Sequence, residues 1–257
     1  MSLISHRFAE LRSRGEKALV CFVTAGDPSM EELPNILQTL EASGADFIEV
    51  GIPFSDPIAD GPTIQASSQR ALDNGATLDK VFSAVRAASL SAPVIYMGYY
   101  NMALRRGLRK FALDAKASGA SGVLLNDLTP DEADDWLACA LESGLDTVFL
   151  ATPTSTDDRI NRACKASTGF VYCVSSTGVT GAGTGVPKEV FELVSRVRKQ
   201  TQLPVCVGFG IRTRDDVKSI CAFSDGVIVG SSIVELIHKE GVSRLGDFIK
   251  DLKQGTL

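Results

Sequence analysis

Short apolar runs, each followed by a longer amphipathic stretch, recur about eight times along the chain. No other feature of the sequence constrains the fold as much. The runs lie near residues 19–24, 47–50, 93–97, 122–126, 147–151, 170–174, 204–208 and 226–230. Each is short and apolar at successive positions, as a strand covered on both faces must be. Between them, residues 29–43 carry Leu33, Ile36, Leu37 and Leu40, and residues 189–199 carry Val190, Leu193, Val194 and Val197. Those spacings put one apolar stripe on a helix. Gly44, Gly119 and Gly144 each end a helical run just before a strand, where a left-handed C-cap belongs. Repeated strand–helix units mean a parallel sheet with helices packed on it. Eight such units in 257 residues favour a closed barrel over an open doubly wound sheet. The expectation is an α/β fold, a (β/α)8 TIM barrel spanning residues 1–257 as one domain, with an extra N-terminal helix.

Charge and residue inventory remove several classes of function. The formal net charge is −5, which argues against a nucleic-acid backbone as partner but leaves room for a small local anion site. His6 and His238 are the only histidines and lie at opposite ends of the chain, so no histidine metal site or Ser-His-Asp triad is expected. Cys21, Cys139, Cys164, Cys173, Cys206 and Cys221 form no CxxC pair and mostly sit in apolar runs, as free thiols of a reducing cytosol do. Arg7, Glu10, Arg12 and Arg14 interrupt the N-terminal residues, which are not expected to act as a signal peptide. No apolar stretch approaches the roughly 20 residues that span a bilayer. A cytoplasmic protein with no membrane association is expected.

The most informative segment is FIEVGIPFSDPIADGPTIQ, residues 47–65. Glu49 falls near the end of the second strand, and a barrel builds its active site at the C-terminal ends of its strands. A strand position facing the barrel interior is normally apolar. Glu49 is therefore either half of a buried ion pair or a proton-transfer group whose pKa an apolar pocket has raised. The following loop holds Asp56 and Asp60 among Pro53, Pro57, Gly61 and Pro62, and Pro62 suits the first turn of the next helix. Asp60 is then a helix cap, a turn residue, or a second carboxylate over the same mouth as Glu49.

Glycine-rich stretches follow the last three strands: residues 178–185 with Gly181, residues 208–210 with Gly210, and Gly230 before Ser231 and Ser232. Glycine lets backbone N–H groups approach an anion, and Ser231 stands where a helix should start, so either plain turns or a phosphate grip fits. Barrels often hold phosphate at that point. The GAGTG run lacks the context of a dinucleotide fingerprint. Phe22, Tyr99, Tyr172 and Phe209 end or follow strands, and Ile64 and Met97 add apolar surface. This is either ordinary packing or a slot for a flat apolar ring.

The 49–65 stretch closely resembles the signature of the tryptophan synthase α family. FVTAGDP (residues 22–28), SSTGVTGA (175–182), GFGI (208–211) and VGSSIV (229–234) resemble its other loops, in the same order. The resemblance implies a lyase of tryptophan biosynthesis that splits indole-3-glycerol phosphate into indole and glyceraldehyde 3-phosphate. It implies that Glu49 moves the proton, that Asp60 accepts the indole N–H, and that Tyr172 assists positioning. Phe22, Ile64, Met97, Tyr99 and Phe209 are then expected near the indole, Thr180 beside Asp60, and Gly181, Gly210, Gly230 and Ser231 at the phosphate. It also implies no cofactor and no metal in this subunit. The expected partner is a pyridoxal-phosphate β subunit in an αββα assembly, met through Pro53 and Asp56. Two departures from the family pattern stand out: Gly183, where many relatives carry arginine, and the fourth loop, which runs Asn126, Asp127, Leu128, Thr129, Pro130 with its proline displaced. A rival reading is a catalytically silent barrel that activates a partner.

Overall fold

The computed structural model describes residues 2–174, 188–208 and 210–257. The eight strands are β1 (Ala18–Thr24), β2 (Phe47–Gly51), β3 (Val94–Gly98), β4 (Ala120–Leu125), β5 (Asp146–Ala151), β6 (Val171–Val174), β7 (Val205–Gly208) and β8 (Gly226–Val229). They close into one barrel in chain order, every neighbouring pair parallel, with β8 returning to β1. The expected βα alternation is therefore observed, and the fold is a (β/α)8 barrel. Gly44, Gly119 and Gly144 all adopt positive φ, the conformation their position before a strand called for.

Strand alternation divides the apolar residues into two separate cores. Leu19, Cys21, Ile48, Val50, Val94 and Tyr96 point outward and pack with the surrounding helices. Val20, Phe47, Ile95, Leu124, Val148, Phe170, Cys206 and Ile228 point inward and fill the barrel. The register Phe22↔Glu49↔Ile95 across β1, β2 and β3 gives Glu49 the same inward parity. All six cysteines are free thiols, and all but Cys139 are buried.

The N-terminal helix, Leu3–Ser13, is present and has a specific task. Ser2 caps it by accepting the N–H of Ser5 at 3.2 Å. Its buried Ile4, Phe8 and Leu11 belong to the inner core rather than the outer one. Phe8 lies 4.6 Å from Phe47 and 6.0 Å from Phe170, centroid to centroid. The helix plugs the N-terminal end of the barrel, and each fully buried side chain contributes about 1.5–3 kcal/mol. Arg7 fastens it by donating to the carbonyl of Asp46, whose carboxylate meets the N–H of Leu19 and the ammonium of Lys253, each at 2.8 Å. One end of the barrel is thus shut, and chemistry is confined to the other.

Candidate active site

The open end is built from strand termini and the loops that follow them. An open cleft lies there, lined among others by Phe22, Gly51, Asp60, Ile64, Met97, Tyr99 and Asn126. Glu49 sits beneath it, 1% exposed. Among the described residues neither carboxyl oxygen of Glu49 has a hydrogen-bond partner. An ionised carboxylate in that setting would be strongly penalised, so the group holds its proton. Burial, reinforced by the charge of Asp60, pushes its pKa up from 4.5 to about 8. The buried ion-pair alternative for Glu49 does not describe this environment.

Asp60 is not the cap of the helix Pro62–Asp73. That position belongs to Gly61, with Pro62 in the first turn, so the carboxylate of Asp60 is left for other partners. One oxygen accepts the phenol O–H of Tyr99 at 3.0 Å, and the other accepts the side-chain amide of Asn126 at 3.4 Å. The Tyr99 hydroxyl also accepts the N–H of Ala59 at 3.1 Å. Stacking of Phe54 on Tyr99, 4.9 Å between centroids, fixes the ring further. Burial raises the Asp60 pKa, and the Tyr99 hydrogen bond opposes that rise by favouring the anion. The phenol of Tyr99 is itself pushed up, by burial first and then by the charge of Asp60.

Two close approaches explain how aromatic rings fit this crowded rim. A Cβ on Gly51 would lie 2.5 Å from the Phe22 ring. One on Gly208 would lie 2.6 Å from the Tyr172 hydroxyl, so each glycine makes room for an inward ring. Tyr172 is half-buried, and its phenol pKa is raised by burial first and then by the Glu49 carboxylate, which is ionised at the high pH where a phenol titrates. Glu49, Asp60 and Tyr172 thus feel one another electrostatically, as a shared site requires.

On the far side of the rim, Gly210 is exposed with φ at +34°. Gly230 immediately precedes the helix Ser231–Glu240. Ser232 donates to the carbonyl of Ile211 at 2.8 Å, tying that helix start to the loop after β7. The N–H groups of a helix's first turn have no intrahelical partner and face outward as anion donors. Thr180, Gly181, Gly183 and Phe209 lie outside the described residues.

The loop between β2 and the next helix separates the two interface candidates. Pro53 is buried within the chain, whereas Asp56 is exposed and accepts from Ser55 at 2.6 Å. Ile58, 83% exposed, is the large apolar side chain that the loop presents. The end of β1 and the loop after it are stapled to the helix Pro62–Asp73, Thr24 by a 2.6 Å contact with Ser67 and Asp27 by taking Arg70 bidentately at 2.9 and 2.7 Å. That ion pair went unread in the sequence, as did Asn126 in its role toward Asp60. A polar residue one step past an apolar strand, on the active rim, was the available signal for Asn126.

Comparison with known proteins agrees with this geometry. The family model described as tryptophan synthase alpha chain matches residues 8–254. The tryptophan synthase alpha chain of Geobacter sulfurreducens is 50% identical, covering 96% of this chain and 94% of its own. That of Geotalea uraniireducens is 48% identical over 100% and 98%. Among solved structures, tryptophan synthase of Mycobacterium tuberculosis superposes with a TM-score of 0.94 at 39% identity, covering 99% and 98%. A chain of the tryptophan synthase α2β2 complex of Pyrococcus furiosus gives 0.88 at 40% identity, covering 93% and 98%. The chain belongs to the tryptophan synthase alpha chain family.

Proposed function

We propose that this barrel, one domain over residues 1–257, cleaves indole-3-glycerol phosphate to indole and glyceraldehyde 3-phosphate by a retro-aldol reaction. The observation that carries the reading is the pairing of a buried Glu49, without a hydrogen-bond partner among the described residues, with a hydrogen-bonded Asp60 at one barrel mouth, in a chain of this family. Protonated Glu49 gives its proton to indole C3, and positive charge develops on the indole nitrogen. Asp60 accepts the N–H there and stabilises that charge. The Glu49 carboxylate, now uncomfortable in its apolar pocket, removes the proton of the adjacent glycerol hydroxyl. The C3–C1′ bond breaks as the aldehyde forms, its electron pair returns to the indole ring, and Glu49 is protonated again. Tyr172 positions the reacting chain.

Phe22, Ile64, Met97, Tyr99 and Phe209 form the slot for the indole, with Thr180 as a further polar contact. Gly181, Gly210, Gly230 and Ser231 grip the phosphate through backbone N–H groups, which supplies orientation rather than chemistry. Gly210→Val and Ser231→Leu are each expected to raise KM for indole-3-glycerol phosphate on the order of tenfold, with a smaller change in kcat. An unchanged KM in steady-state kinetics of both variants would place the phosphate elsewhere.

No metal or organic cofactor takes part in this subunit's step, and the setting is cytoplasmic. Among the described residues no helix is long and apolar enough to cross a membrane. The partner is a β subunit carrying pyridoxal phosphate in an αββα assembly, a reading supported by likeness to the Pyrococcus furiosus α2β2 complex. Asp56 meets it directly. Pro53, being buried, shapes the loop that presents Asp56 and Ile58.

One assay tests the proposal: indole release from indole-3-glycerol phosphate by the purified chain, alone and with a β subunit. Indole is expected in both arms, faster in the second. Absence of indole in both, with the β reaction nonetheless stimulated, would establish the silent-activator alternative instead. Two separate peaks in size-exclusion of the mixture at micromolar concentrations would remove the partner.

A further inference from the structure

Asn126 occupies an unusual place. Its backbone N–H donates to the carbonyl of Gly98 at 2.8 Å, which continues the β3–β4 ladder one rung past the strand end. The residue is therefore anchored by the sheet. Its side chain crosses 66 positions of sequence to reach Asp60, and an ionised acceptor requires that the NH2 end of the amide face the carboxylate. Tyr99, anchored on the neighbouring strand, takes the other oxygen. Each carboxylate oxygen thus has one rigid donor and keeps further lone pairs free.

We propose that Asn126 is a positioning residue of the lyase site. Together with Tyr99 it forms a two-point clamp that fixes the rotation of the Asp60 carboxylate, so that its free lone pairs are held toward the cleft all three residues line. With Tyr99 alone the carboxylate could swing about a single hydrogen bond. The contact of Asn126 is longer than that of Tyr99, so its removal has the smaller effect. This inference rests on the lyase reading for its rate consequence and on geometry alone for its effect on Asp60.

Among the described residues the charged and titratable surroundings of Asp60 are few. Glu49 faces it from β2, Tyr99 from the end of β3 and Tyr172 from β6. From the helix Pro62–Asp73, Gln65 reaches only its backbone carbonyl, and Arg70 is committed to Asp27. Asp56 is engaged by Ser55, and Asp127 accepts the N–H of Tyr100 at 2.6 Å. Among these groups Tyr99 holds the Asp60 pKa down by its hydrogen bond, and Asn126, which also donates toward the Tyr99 phenol, is the second neutral donor within reach of the carboxylate.

The experiment follows the Asp60 carboxyl by carbon-13 NMR titration in the full chain, together with the pH profile of kcat/KM, for the parent, Asn126→Ala and Asn126→Asp. Loss of a donor disfavours the anion, so in Asn126→Ala both the Asp60 titration and the acid limb of the profile should move to higher pH. Activity at neutral pH should fall several-fold, up to about tenfold. Asn126→Asp keeps the size but replaces a donor by a like charge, so it should move both further. Asn126→Gln, which keeps the amide, should restore the limb toward the parent. A role in packing alone would lower the rate without moving either curve, and unmoved titrations in both Asn126→Ala and Asn126→Asp overturn the clamp. If the parent releases no indole while the NMR titration responds, the clamp stands and the lyase reading falls.

Discussion

Glu49→Gln is expected to lower indole release by at least about a hundredfold, the scale of losing a general acid–base group, while leaving the barrel folded. Glutamine has the shape of the protonated acid but cannot pass a proton to C3 or take one from the glycerol hydroxyl. The same substitution should stabilise the protein at neutral and higher pH. Folded Glu49 titrates near 8 and an unperturbed glutamate near 4.5. Between those values the folded chain holds a proton that the unfolded chain has released, so this group's contribution to stability is intact below about pH 4.5 and is lost as pH rises toward 8. Glutamine has no such slope. The difference in unfolding free energy between Glu49→Gln and the parent, read from urea titrations, should therefore be small near pH 4.5 and widen to a few kcal/mol by pH 8. Comparing the two proteins cancels the titration of Asp46 and other shared groups. A constant difference across that window would show that Glu49 does not hold its proton, and the mechanism would lose its acid.

Much of this was legible in the residues, and what was not has a common cause. All eight strands announced themselves because each is a run of apolar residues that no solvent-facing segment could carry. Glu49 stood out because its inward parity falls between Phe47 and Gly51, where charge is costly. Local signals also placed Pro62 in the first turn of the next helix, though not Gly61 as its cap. The contacts made by side chains across the barrel were another matter. The family resemblance places Tyr99 near the indole, but nothing local showed that its hydroxyl donates to Asp60, a partner 39 positions away. Asn126 reads locally as the end of an apolar run, and only the side-by-side pairing of β2, β3 and β4 brings it over the loop after β2. The N-terminal helix was legible as a helix, but its task as a plug depends on Phe47 and Phe170, which only the closed sheet assembles. The resemblance puts Pro53 at the partner interface, and within the single chain it is buried.

Asp60→Asn separates charge from shape at the same mouth. The amide oxygen of the new residue can still accept from Tyr99, and Asn126 can turn its own amide to offer a carbonyl to the new NH2 group. The hydrogen bonds are thus replaceable, and thermal stability should change little. What disappears is the anion facing the indole nitrogen as positive charge develops there, a contribution worth roughly a hundred- to a thousandfold in kcat. Tyr99→Phe, which leaves the anion but removes its stronger donor, should cost only about tenfold and move the acid limb of kcat/KM to higher pH. A second consequence reaches Glu49. Part of the rise in its pKa comes from the charge of Asp60, so Asp60→Asn should shift the Glu49 titration to lower pH, read by carbon-13 NMR of its carboxyl. Should Glu49 titrate at the same pH in both proteins, the two carboxyls do not share a field, and one ligand could not be worked on by both.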